Sequence, residues 1–123
     1  MRFALALLMA LHGIAHLPGF LVPWRLLRSP ELPYATTVLS GRVDLGDAGI
    51  RVLGVFFLLV GSAFLVAAWL TWSREPGWIP VAGAVTAASL LLTVVAWPLS
   101  RVGVLVNLAL AVGIGATAWL AAP

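Results

Sequence analysis

The sequence predicts an all-α integral membrane protein, a four-helix bundle with short loops and one longer loop between helices 1 and 2. Of its 123 residues, 63% are hydrophobic and only 9% are charged, whereas a soluble domain has about 25% charged residues. The apolar residues also form four segments, each close to the ~20 residues that a helix needs to cross the hydrocarbon layer. This length allows a single transmembrane domain, residues 1–123.

The four predicted helices cover about residues 3–22, 47–72, 79–97 and 101–120. The start, Met1-Arg2 and an apolar run, resembles a signal peptide, but no small-x-small cleavage site follows, so we expect it to be retained as helix 1. Pro23 and Trp24 end this helix. Residues 25–43 are predicted to form a surface loop with room for a short interfacial helix.

Two acidic residues precede or begin helix 2. Asp44 and Asp47 can cap free N–H groups there, and Arg51 lies four residues after Asp47, which favours an ion pair within the helix. Pro80 is tolerated in the first turn of helix 3, and Pro98 closes that helix.

Small residues at helical spacing predict close packing between helices, because they let two backbones approach each other in lipid. They lie on helices 2, 3 and 4, at Gly54, Gly61 and Ala68, at Gly83 and Ala87, and at Gly103, Asn107, Ala111 and Gly115.

The charged residues predict membrane orientation rather than nucleic-acid binding. All seven basic residues are arginines that lie mainly between the apolar segments. One side of the membrane receives Arg2 and Arg74; the other receives Arg25, Arg28, Arg42 and Arg101, with Arg51 near its edge. By the positive-inside rule the second side is cytoplasmic, so both termini are expected outside a bacterial cytoplasmic membrane. The chain has no cysteine, which excludes disulfides and thiolate chemistry.

Polar side chains concentrate at the predicted cytoplasmic end of the bundle. His12 and His16 share one face of helix 1 because they lie four residues apart. Ionisable residues inside a membrane helix are costly and usually face the bundle interior or water. Other polar or aromatic groups reach a similar depth, so the predicted ligand-binding residues are His12, His16, Asp47, Arg51, Trp97 and Asn107.

Several interpretations of this cluster stay open. His12 and His16 can place two nitrogens on one metal ion, with Asp44 or Asp47 as a third ligand. A quinone or another lipid can be held by histidine and asparagine hydrogen bonds, and a haem on a single histidine is a less favoured alternative. Alternatively, His12, His16 and Asn107 make interhelical hydrogen bonds that serve packing alone.

Other functions find little support in the sequence. Helix 1 has no carboxylate of the kind on which small multidrug exporters depend, and no nucleophile signature or phosphate-binding glycine loop is present. An enzyme would have only the histidine pair as acid–base groups, so no catalytic residue is assigned.

Two patches of the sequence resemble the DoxX-like group of bacterial four-helix membrane proteins. The stretch from His12 to Phe20, HGIAHLPGF, resembles the end of their helix 1, and Trp97, Gly103 and Asn107 resemble a pattern that leads into helix 4. The resemblance implies the four-helix fold. It also implies an association with membrane redox functions, since members include a subunit of thiosulfate:quinone oxidoreductase, although many have no assigned activity.

The sequence therefore predicts a membrane protein that binds a small ligand at a histidine-bearing cluster on the cytoplasmic side. The alternative is a structural or accessory subunit of a larger membrane complex, with a partner subunit or a second copy of the chain covering its small-residue faces. The bilayer itself is the expected environment in both cases.

Overall fold

Four helical spans pack side by side in the computed structural model, which describes residues 1–120. The helices are α1 (Arg2–Ala15), α2 (Leu17–Leu21), α3 (Gly46–Ser73), α4 (Trp78–Val95) and α5 (Arg101–Leu120), and a short hairpin consists of β1 (Thr37–Val38) and β2 (Val43–Asp44). Neighbouring spans contact one another in the order α1, α3, α4, α5, and α1 meets α5 less extensively than it meets α3. The predicted all-α four-helix bundle is confirmed.

The first span is interrupted at His16, between α1 and α2. The amide of His16 donates to the carbonyl of Gly13 rather than continuing the regular pattern, and Pro18 has no N–H to contribute. Together the two pieces still form one apolar span, Arg2–Leu21. The prediction of a single continuous helix 1 was wrong in this local detail, because proline removes a donor just after the break.

Helix α4 ends at Val95, two residues before the predicted end at Trp97. The residue before a proline is disfavoured in the helical conformation, and Trp97 precedes Pro98. Residues 96–100 form turns that lead directly into α5, whose bounds match the prediction.

The long loop contains a β-hairpin instead of the short interfacial helix that the sequence left room for. Thr37 pairs with Asp44 and Val38 with Val43, and β-branched residues favour this extended conformation. At the tip, the amides of Leu39 and Ser40 donate to the carbonyls of Val95 and Trp97, each at 2.9 Å. Val95 is the last residue of α4 and Trp97 follows in the next turn, where no further helical turn supplies donors. The hairpin is therefore fastened to the end of α4.

Small residues allow the backbones of α1 and α3 to approach each other closely where the two helices cross. A Cβ atom added to Gly13 would lie 2.7 Å from the carbonyl oxygen of Gly61, and one added to Gly61 would lie 2.8 Å from that of Gly13. The prediction of a packing face on helix 2 is confirmed here. It was wrong for Gly83 and Gly115: within residues 1–120, no atom lies within 4 Å of a Cβ added to either glycine, because their faces turn away from the neighbouring helices.

The outside of the bundle is strongly apolar, while its interior holds most of the polar side chains of the spans. Residues such as Leu91, Val112 and Trp119 are 71%, 73% and 82% exposed. Asn107, Ser89 and Thr71 are fully buried. This inversion suits a lipid environment, since large exposed apolar surfaces are unfavourable in water, and all four spans are long and apolar enough to cross a membrane.

Candidate functional site

A network of hydrogen bonds joins the two histidines to α4 and α5 inside the bundle. His12 is 6% exposed and His16 is 3% exposed. The Nε2 atom of His12 lies 3.2 Å from the side-chain oxygen of Asn107 and 3.3 Å from the hydroxyl of Ser89, and Nε2 of His16 lies 2.9 Å from the same hydroxyl. Three spans thus meet at one polar cluster, which we call the histidine cluster: His12, His16, Ser89, Thr93 and Asn107.

The break between α1 and α2 sets the orientation of His16. Because the His16 amide bonds to Gly13, the carbonyl of His12 is left without that donor. The Nδ1 atom of His16 takes its place and donates to this carbonyl at 2.8 Å. A carbonyl can only accept, so the neutral His16 ring carries its proton on Nδ1 and has a lone pair on Nε2.

The proton on His16 determines the other donors in the network. The lone pair on Nε2 of His16 accepts the hydroxyl proton of Ser89, so the Ser89 oxygen can only accept from His12. His12 therefore donates from Nε2, both to Ser89 and to the side-chain oxygen of Asn107. The two neutral histidines consequently have opposite tautomers.

The amide of Asn107 completes the network on the side of α4. Its nitrogen donates to the hydroxyl of Thr93 at 3.2 Å, and Thr93 donates in turn to the carbonyl of Ser89 at 2.9 Å. The Asn107 oxygen is therefore the atom that faces His12, which agrees with the donor assignment from His16. A buried polar group without a partner would be costly, and in this network each hydrogen-bonding atom of Asn107 that faces the cluster has a partner.

Aromatic rings enclose the histidines on the α3 side. The ring of Phe64 lies 5.0 Å from that of His12 and 5.6 Å from that of His16, and Phe57 lies 5.6 Å from His16. Phe64 is fully buried. On the other side, the histidine cluster faces α5 and the long loop.

A cavity of about 470 Å³ opens in that direction, and both histidines contribute to its wall. Its other walls are almost entirely apolar and come from α1, α2, the start of α3, the end of α4 and the start of α5. Residues 32–38 of the long loop cover one end. None of the residues that line it is Asp, Glu, Lys or Arg, so the cavity combines an apolar body with a neutral polar wall.

Three of the predicted site residues lie away from the histidine cluster. Asp47 is exposed and pairs with Arg25 at 3.4 Å, and it also accepts from the hydroxyl of Tyr34. The predicted ion pair with Arg51 does not form; the Arg51 guanidinium lies 5.9 Å from the centre of the Trp24 ring. Asp47 turns to Arg25 because the long loop brings a second cation to the start of α3.

Trp97 also stays outside the cavity wall. Its side chain is 44% exposed, and its backbone carbonyl serves the hairpin instead. Of the six predicted ligand-binding residues, the structure thus brings together His12, His16 and Asn107.

Ser89 is the most important member that sequence reasoning missed. It lies in the middle of an apolar helix, and a hydroxyl at membrane depth needs a hydrogen-bond partner. That position was the available indication, although the sequence could not show which helix would supply the partner. The loop residues that cover the cavity, 32–38, gave no comparable indication.

A metal ion finds no complete ligand set in this arrangement. Among residues 1–120, no group of three or more His, Cys, Asp or Glu side chains could hold one. Both ring nitrogens of His16 already have protein partners. Asp47, considered above as a third ligand, is engaged with Arg25 and Tyr34. The proposal of a metal at His12 and His16 gains no support.

Outside the spans, one carboxylate is held in its charged form at the start of α3. The side chain of Asp44 accepts from the backbone amide of Gly46 at 2.9 Å. This bond, together with a hydrogen bond from Thr36, lowers the pKa of Asp44 below its ordinary value of 3.8. Asp44 thus accepts from the first amide of α3 as expected, although the N-cap position itself is Leu45, which has no side-chain cap. Asp47, the second predicted cap, bonds to Arg25 and Tyr34 instead.

No family model matches the sequence, and searches of curated proteins and of solved structures find no match.

Proposed function

We propose that this chain is an integral membrane protein that binds a small, lipid-soluble organic molecule, such as a quinone or another lipid, in the cavity beside the histidine cluster. The observation that carries the proposal is a cavity of about 470 Å³ with apolar walls and two imidazoles on one side. Ligand sites typically have volumes of about 300–1,000 Å³, apolar walls and a few polar groups that orient the ligand.

The rim of the cavity supports a ligand that arrives from the membrane. Leu11 on α1 and Val102 on α5 both line the cavity and are 56% and 66% exposed. Leu99, between α4 and α5, also lines it and is 55% exposed. Apolar side chains that are shared between the cavity and the outer surface provide a lateral path for a molecule dissolved in lipid.

The resemblance to the DoxX-like group adds support at one point. The two patches that carry it are far apart in the sequence, yet His12 of the first and Asn107 of the second are hydrogen-bonded to each other. A relationship to that group, and with it a bacterial origin, is part of this proposal.

The proposed orientation puts the cavity near the cytoplasmic surface and both termini outside. Arg25, Arg28 and Arg42 belong to the long loop at the hairpin end of the bundle, where Arg101 begins α5. Arg2 and Arg74 belong to the opposite end. The positive-inside rule then favours a cytoplasmic hairpin.

The decisive experiment blocks the cavity with a larger side chain and identifies the lipids that still copurify with the protein. Ala15 lines the cavity but is exposed, so Ala15→Phe occupies the opening without enlarging a packed core. Ala84→Phe is the matched control, since Ala84 is exposed on α4 away from the cavity. Lipids extracted from each purified protein are identified by mass spectrometry. We expect a stoichiometric organic ligand in the wild type and in Ala84→Phe, and its loss in Ala15→Phe.

The rival function, an accessory subunit, predicts a different result. The open faces at Gly83 and Gly115 would then be covered by a partner or by a second copy of the chain. A stable larger complex in native mass spectrometry, with no bound organic molecule in any variant, would contradict ligand binding and support the accessory role.

A further inference from the structure

We infer that the site selects a neutral ligand with a hydroxyl group, a lipid alcohol or a phenol, because His12 offers the cavity a hydrogen-bond acceptor and no donor. This inference rests on the proposed function and narrows it. Of the molecules named there, a quinone has only acceptor oxygens and would not be selected, whereas a quinol or a lipid alcohol would be.

The Nε2 edge of the His12 ring is fully engaged by the protein. Nε2 donates to Asn107 and Ser89. This follows from the backbone carbonyl of His12, which can only accept and so requires the proton of His16 on Nδ1. The tautomer therefore does not depend on how the amide of Asn107 is assigned. In the neutral ring the remaining nitrogen, Nδ1, must carry a lone pair.

This Nδ1 atom has no hydrogen-bond partner among residues 1–120. Among residues 1–120, the hydroxyl of Thr86 is the only fully buried side-chain nitrogen or oxygen that lacks a partner. Nδ1 of His12 also lacks a partner but is not in that fully buried class, so it retains some accessible surface. His12 lines the cavity, and we take this surface of Nδ1 to face the ligand there. An imidazole lone pair accepts a hydrogen bond from a hydroxyl group and gains nothing from an ether or a carbonyl oxygen.

The rest of the cavity argues against a charged ligand. No charged side chain of the described residues lines it, and an unpaired charge in an apolar site is strongly unfavourable. Two hydroxyls of the polar wall are engaged: Thr93 donates to the carbonyl of Ser89, and Ser100 donates to the carbonyl of Thr93. The remaining hydroxyl that lines the cavity, that of Thr37, belongs to the loop and is exposed. His12 is therefore the acceptor through which a neutral hydroxyl would be recognised.

The binding test uses two probes, farnesol and farnesyl methyl ether. Farnesol has a hydroxyl donor, and in the ether a methyl group replaces the hydroxyl hydrogen. The protein is embedded in phosphatidylcholine nanodiscs, and the binding of each radiolabelled probe is measured against empty nanodiscs. We expect farnesol to bind about tenfold more tightly than the ether, since a buried acceptor left without a donor costs about that factor. Equal or tighter binding of the ether would overturn the inference.

A second measurement needs no ligand. In ¹⁵N-histidine-labelled protein, long-range proton–nitrogen spectra distinguish the two imidazole tautomers. We expect His12 to carry its proton on Nε2 and His16 on Nδ1. A proton on Nδ1 of His12 would refute the selection of hydroxyl groups whatever the probes do.

The copurifying lipid and the two probes test ligand binding and ligand chemistry separately. If the wild type carries a stoichiometric lipid that has no hydroxyl or other hydrogen-bond donor, the cavity binds a ligand but the inference is wrong. If no lipid copurifies and neither probe binds, both are wrong. Binding of farnesol that is lost in Ala15→Phe and kept in Ala84→Phe supports both.

Discussion

The imidazole Nε2 of His16 and the hydroxyl of Ser89 lie 2.9 Å apart, although 73 residues separate them in the sequence. This bond links the junction of α1 and α2 to the middle of α4. Through the same hydroxyl it also determines which nitrogen of His12 carries a proton. One serine therefore links the packing of the bundle to the chemistry that faces the cavity.

Replacement of this serine should weaken both the bundle and the tautomer preference. We expect Ser89→Ala to reduce the free energy of unfolding by about 1 kcal/mol, the scale of interhelical hydrogen bonds in membranes. Ser62→Ala is the matched control, because the Ser62 hydroxyl donates only to the carbonyl of Leu58 on its own helix and is exposed. Thermal unfolding in detergent compares them. Equal stability of the two variants would mean that the bond between His16 and Ser89 contributes nothing.

The contact between α1 and α3 should not tolerate even one methyl group. In Gly61→Ala the new Cβ would lie 2.8 Å from the carbonyl oxygen of Gly13, so the two backbones must separate. We expect a loss of about 1–3 kcal/mol, as for overpacking elsewhere. Gly83→Ala places the same methyl group in open space and should be neutral or slightly stabilising, since alanine favours the helix over glycine. Chemical unfolding in mixed micelles gives the comparison, and similar losses in both variants would contradict the close contact.

The start of α3 should loosen in acid. The folded pKa of Asp44 is lowered from 3.8 because the carboxylate accepts from Gly46 and Thr36. Its stabilising effect is complete above pH 3.8 and is lost as the pH falls through the lower folded value. We expect the amide of Gly46 to lose protection from hydrogen exchange in that acid range.

Asp44→Asn supplies the control for this effect. Its side-chain oxygen can still accept from Gly46 but has no proton to gain, so the protection of that amide should no longer depend on pH. Persistence of the same acid transition in Asp44→Asn would assign it to another group.

A reporter fused to the C-terminus tests the proposed orientation. With four spans and a cytoplasmic hairpin, the C-terminus lies outside, so fused alkaline phosphatase should be active and fused green fluorescent protein should be dark. A fusion in the hairpin turn at Gly41, which meets no atom within 4 Å of an added Cβ, should give the reverse pattern. Fluorescence at the C-terminus would invert the orientation and put the cavity near the outer surface.

Local sequence patterns predicted the parts of the structure that depend on local physics. Four apolar segments of sufficient length define four helices, since lipid requires each backbone to satisfy its own hydrogen bonds. The spacing of His12 and His16 put them on one face, and the distance of Asn107 from the start of its helix put it at a similar depth. The same patterns failed where a second segment competes, as when Asp47 pairs with Arg25 rather than with Arg51.

Only the tertiary structure showed how these groups face one another. Ser89, the wall formed by Phe57 and Phe64, and the loop that covers the cavity come from segments far apart in the chain. Helical periodicity indicates that a side chain faces inward, but it carries no information about the neighbour it will meet. By itself the sequence determined four apolar spans with histidines inside them. The packing of the spans decided that these histidines lie beside an apolar cavity, with one imidazole nitrogen that has no partner among residues 1–120. Hydrogen bonds between helices depend on the rotation and depth of each helix relative to the others.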